Sequence, residues 1–205
     1  LVFMQYNRTK PDPMHSGKFD EPLPAPGVDT GMGLERILAI LQNAKTNYDT
    51  DLFADIMNAT QEMLGHNSEF RGQHYVAYRV IADHIRAACF LIADGVNPGA
   101  NGREYIVRML IRRAWRFAHS MEVDRPFLTK VTDILIAKMR STYPELEQFR
   151  EAIQYQIGAE EERFISTIDK AMGILNDIVQ RLRTQNETTV SGEEAFYLYG
   201  TWGLP

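Results

Sequence analysis

Nine consecutive residues, Asp29-Thr30-Gly31-Met32-Gly33-Leu34-Glu35-Arg36-Ile37, combine groups suited to holding a small charged molecule. Gly31 and Gly33 have no Cβ, so the backbone there can bend sharply and a ligand can come close to it. Leu34, Ile37, Leu38 and Leu41 then follow at the spacing of an amphipathic helix, whose start offers unpaired N–H groups and a partial positive charge. Arg36 adds a full charge and a planar fork of donors in that first turn, which favours a phosphate. Asp29, an acceptor-only group at the end of the preceding strand, favours an ammonium. By itself, a Gly-x-Gly before a helix is usually an ordinary strand-to-helix turn.

A second stretch carries charge of one sign. Arg108, Arg112 and Arg116 recur every four residues, which lines three guanidinium groups along one side of a helix, with Arg103 and Arg113 flanking them. No acidic residue lies between Tyr105 and Met121 to neutralise the row. Such a row is a solvated face, a face paired with acidic helices elsewhere, or a surface for RNA phosphates, whose oxygens arginine bridges bidentately with release of counterions. None of the five histidines has a metal-ligand partner at helical spacing, and His84 and His119 read as core or surface residues. No metal site is expected, and Glu35 reads as a supporting salt bridge.

These residues must be positioned by a chain that reads as mainly α. Leu1 to Asn7 is expected to be a strand buried on at least one face. Thr9 to Pro26, with five prolines and Gly17, reads as a long loop returning the chain to a second strand at Val28. Two strands do not make a stable sheet, so further strands are expected upstream of Leu1. Asp49 is the expected N-cap of a helix running to Leu64, stopped by Gly65. The next helix spans about His74 to Ala93, with Ile81, Ile85, Ala88 and Ile92 on one face. Arg103 to His119 follows, burying Ile106, Val107, Leu110, Ile111 and Ala114. A fifth helix follows Pro126. From Pro144 a periodic series with one gap at Glu160-Glu161-Glu162 predicts about 40 helical residues reaching roughly 60 Å, with Gly158 and Gly173 as places to bend. Ser191 is placed to cap a last helix, Gly192 to Tyr199.

The complete string Asp29 to Arg36 resembles motif 3 of the class II aminoacyl-tRNA synthetases, in the form found in alanyl-tRNA synthetases. Leu1-Val2-Phe3-Met4-Gln5-Tyr6-Asn7-Arg8 is similar to the catalytic-domain strand before that motif, and Asn47-Tyr48-Asp49-Thr50-Asp51-Leu52-Phe53 follows it as in the family. Ala82-Asp83-His84-Ile85-Arg86-Ala87, Gly102-Arg103-Glu104-Tyr105-Ile106-Val107-Arg108 and Ile111-Arg112-Arg113-Ala114 resemble the helical tRNA-recognition region. The resemblance implies residues 1–45 as the end of a class II α+β catalytic domain, a short remnant of its antiparallel sheet, and 46–205 as a helical tRNA-recognition domain.

It further implies an alanine–tRNA ligase, an enzyme that condenses alanine with ATP and transfers the alanyl group to its tRNA. ATP would come as its magnesium complex, and zinc belongs only to an editing domain not represented here. By the same resemblance Val2, Asp29 and Gly31 hold alanine, and Gly33 and Arg36 hold ATP. Asn101, Arg103, Arg108, Arg112, Arg113 and Arg116 hold the tRNA acceptor stem. Motifs 1 and 2 are missing, so no residue is assigned to catalysis and the chain alone is expected to be inactive. Gly200 stands where the family has an aspartate that helps read a G·U wobble pair. A reading of another class is a non-catalytic helical RNA-binding module with a decayed motif 3.

The 205 residues, 44% of them apolar, suffice for one large domain or two small ones. No apolar run is long enough to span a bilayer. The single cysteine, Cys89, excludes an internal disulfide and a Cys-based zinc cluster, and reads as buried in a reducing cytoplasm. The net charge of −5 argues against a surface covered in nucleic-acid sites, but a local basic stripe still makes one.

Overall fold

A computed structural model describes residues 1–7 and 21–202, the last by its backbone alone. It divides into two compact units, Leu1–Leu52 and Phe53–Pro205.

In the first unit, β1 (Val2–Asn7) pairs antiparallel with β2 (Glu21–Asp29), setting Val2 opposite Asp29, Phe3 opposite Val28 and Tyr6 opposite Pro22. The expected proline loop is therefore partly strand. Pro22, Pro24 and Pro26 lie within β2, and the ladder is irregular between Met4 and Tyr6. Proline lacks the ladder N–H, which an edge strand tolerates. Residues 8–20 of that expected loop lie outside the described residues. Every residue of β1 is exposed, contrary to the expected burial, because β2 covers one edge and neither face.

Helix α1 (Leu34–Leu41) follows, and a short 3-10 turn, Asn47–Asp49, comes next. Asp49 does not cap a long helix. Its carboxylate accepts the Thr46 N–H at 3.0 Å while the Thr46 hydroxyl oxygen accepts from Tyr48 N–H, closing a capping box on the turn.

The second unit is helical: α2 (Ala54–Leu64), α3 (Ser68–Gln73), α4 (Tyr75–Ala93), α5 (Gly102–His119), α6 (Leu128–Met139), α7 (Pro144–Gln148), α8 (Arg150–Thr184) and α9 (Gly192–Trp202). Gly65 ends α2 in the left-handed region, at φ 71°. The expected face of α4 is buried, as are Val107, Ile111, Ala114, Trp115 and Ala118 of α5. Ile106, expected in the core, is exposed, because the α5 stripe shifts toward Trp115 and Ala118. Cys89 is buried against Thr132, and burial pushes its thiol up to about 12.

The expected long helix is two. Phe149, with φ −100° and ψ 13°, separates α7 from α8, and α8 then continues unbroken through Gly158 and Gly173. Gly158 serves close packing instead of bending, since a Cβ there would lie 3.1 Å from the Thr129 methyl. The gap in the apolar series is filled by two buried acids, Glu160 and Glu161. Glu161 accepts the N–H of Phe127 at 3.0 Å and of Leu128 at 3.1 Å, supplying the cap that Phe127 cannot give α6. Burial pushes its carboxyl up to about 7 against the pull of those hydrogen bonds. Ser191 caps α9 reciprocally with Glu194, and α9 continues past Tyr199 through Gly200.

Candidate functional site

Each unit carries one candidate site. In the first, the antiparallel register makes Val2 and Asp29 cross-strand neighbours, and both are exposed. Asp29 Oδ1 accepts the N–H of Thr30 at 2.8 Å, leaving acceptor capacity on a carboxylate at the sheet end. Gly33 is the N-cap of α1 with an extended backbone, φ −71° and ψ 125°, and contributes no side-chain cap. Neither Gly31 nor Gly33 takes a left-handed conformation. Their use is access: nothing lies within 4 Å of where a Cβ on Gly31 would stand. At Gly33 a Cβ would meet only the Arg36 stem, at 3.6 Å. Arg36 borders a shallow hollow of about 470 Å³ with Ala39, Ile40 and Lys45.

In the second unit a groove of about 500 Å³ runs between α5, α8 and α9. Arg108, Arg112, Arg113 and Arg116 line one side, and Tyr199, Gly200 and Thr201 line another. Four of the six expected RNA-contacting residues thus converge on one concave surface. Asn101 and Arg103 stand apart from it at the start of α5, where Asn101 is the N-cap without a side-chain capping bond. Tyr105, Met109, Phe164, Thr167, Tyr199 and Thr201 complete the lining and were not singled out by sequence; the exposed aromatics Tyr105 and Tyr199 carried the only usable signal.

The row of arginines is not free of acid. Glu160, 1% exposed, accepts a hydrogen bond from Arg112 Nε at 2.7 Å and has Arg108 Nε at 3.6 Å from the same oxygen. Its other oxygen lies 3.6 Å from Arg163 Nη1. Pairing with an acidic helix elsewhere was among the readings the sequence allowed, but it did not point to Glu160, which comes from a helix 48 residues onward. Arg112 also lies over the Phe164 ring, 5.0 Å from its centroid, and Phe164 packs edge-on against Trp115. Three guanidinium groups around one carboxylate leave the cluster net positive, and Arg113 and Arg116 have no carboxylate partner among the described residues.

His119 stacks on Trp115 at 4.9 Å and His84 bonds Asp83, and neither lines the hollow beside Arg36 or the groove along α5. Among the described residues no three His, Cys, Asp or Glu side chains are arranged to hold a metal ion. No helix among them is long and apolar enough to cross a membrane.

A profile of the family described as tRNA synthetases class II (A) matches residues 1–205. Over the whole chain the sequence is 42% identical to the alanine–tRNA ligases of Desulfitobacterium hafniense and Geobacillus thermodenitrificans, and 41% identical to that of Staphylococcus aureus. In each case the chain spans about 23% of the relative's length.

Proposed function

The chain belongs to the class II tRNA synthetases, and from that premise we propose that it serves an alanine–tRNA ligase as the segment that carries motif 3 and grips the tRNA acceptor stem. The observation that carries this reading is a groove lined by four arginines of α5 together with Gly200 of α9. Guanidinium forks on a curved wall suit backbone phosphates, and the aromatic rim suits the sugar and base edges beside them. In the other unit, Asp29 holds the α-ammonium of alanine, with Val2 beside it and Gly31 giving the substrate room, while Gly33 and Arg36 receive ATP. ATP would arrive as its magnesium complex, the metal neutralising charge on the triphosphate. A cytoplasmic place accords with such a role.

The reading is tested by titrating the chain with an alanine-tRNA acceptor-stem hairpin in G·U and G·C forms at two salt concentrations. Both forms bind, both weaken steeply with salt, and their affinities agree within about two-fold, because Gly200 offers no side-chain acceptor to the wobble guanine's amino group. Binding that ignores salt, or no binding, rules the groove out as the RNA site.

A further inference from the structure

We propose that Glu160 is a positioning residue for RNA binding, one that turns the guanidinium groups of Arg112 and Arg108 so that their forks face the groove. The inference rests on the reading of the groove as an RNA site and deepens it.

Glu160 does not line the groove; it lies beneath it, 1% exposed, on the inner side of the arginines. A buried carboxylate costs several kcal/mol unless its partners compensate, so its place here calls for a use. Its contacts are with one end of each guanidinium. Arg112 gives Glu160 its Nε, at 2.7 Å, and neither of its two Nη groups bonds a described residue. Arg108 presents the same edge, with Nε 3.6 Å from that oxygen and no closer hydrogen-bond partner. The Phe164 ring backs Arg112 from another side.

Arginine is the one side chain that can divide its donors this way, with Nε held inward and a pair of Nη groups left for an incoming phosphate. Lysine has a single ammonium, which in this position is drawn to Glu160 and away from the ligand. The remaining oxygen of Glu160 has no hydrogen-bond partner, and its one ion-pair neighbour, the largely exposed Arg163 on the same helix, stays 3.6 Å away, so the carboxylate is not consumed in closing a network of its own. Its work is directed at the arginines above it.

Positioning and simple neutralisation predict opposite signs. Glu160→Gln raises the net charge by one, so if Glu160 only offsets the arginines, the variant binds RNA more tightly with a steeper salt dependence. If Glu160 positions them, the variant binds more weakly despite its extra positive charge.

The experiment measures the affinity of the full chain for the acceptor-stem hairpin across a salt series, with far-UV circular dichroism as a check on folding. The expected result is about a five-fold or greater loss for Glu160→Gln and a similar loss for Arg112→Lys, which keeps the charge but not the fork. Arg112→Lys keeps a cation beside Glu160, so it decides the matter should Glu160→Gln fail to fold. Wild-type or tighter binding by either folded variant overturns the proposal. The Arg113→Ala, Arg116→Ala double variant, which leaves Glu160 and its partners intact, separates the two ideas. If it loses affinity while the Glu160 and Arg112 variants do not, only the positioning role falls; if it too binds as wild type, the groove itself is not the RNA site.

Discussion

Arg112 and Gly200 face one another across a groove, and both are single residues whose meaning depends on their surroundings. Gly200 lies in a helix at an ordinary backbone angle, and a Cβ there would meet only the Phe196 ring, at 3.8 Å. An aspartate therefore fits without strain. Gly200→Asp is expected to favour the G·U hairpin over G·C by about 1 to 3 kcal/mol, the range of a good base-edge contact, as read by competition titration. Equal affinities in that variant would mean that α9 does not approach the wobble pair. The arginines of α5 were legible as residues because their four-residue spacing is a property of the sequence. Glu160 was not, since the chain distance between partners says nothing about which buried acid will reach them. Asp29 was legible as a carboxylate at a strand end, Val2 could be named only through the family resemblance, and their adjacency comes from the strand register.

Among the elements, α8 was the most readable and the most instructive where it departed. Its apolar steps are visible over many turns, yet the break at Phe149 and the burial of Glu160 and Glu161 are not, because both are set by what packs against the helix. Glu161 makes that packing measurable. Its folded-state value, raised from 4.5 to about 7, means that the native chain binds the proton more tightly than the unfolded one. The stability it contributes is thus fully present below the ordinary glutamate range and is lost as the pH rises toward 7. A shift of that size corresponds to about 3 kcal/mol. Glu161→Gln keeps an oxygen for the Phe127 and Leu128 N–H groups but cannot ionise, so its denaturant stability should fall less than that of wild type between pH 4.5 and 7. Parallel curves would show that the wild-type carboxyl titrates as an exposed one.

At the scale of the molecule, a net charge of −5 coexists with a basic groove because the acids lie elsewhere or underneath. Composition reports only the sum. The helical class was legible from periodicity, whereas the exposed faces of β1 were not, because a short apolar strand looks the same whether or not anything covers it. The central claim is that α5 holds RNA through its arginines, and the most direct test uses the two that have no carboxylate partner among the described residues. Arg113→Ala with Arg116→Ala leaves the Glu160 cluster in place, unlike removal of Arg108 or Arg112, which would strand a buried carboxylate. The measurement is the slope of log affinity against log salt for the acceptor-stem hairpin. The expected result is weaker binding and a slope smaller by about two, one for each phosphate that the variant no longer neutralises. An unchanged affinity and slope would contradict the claim and leave the arginine row as a solvated face.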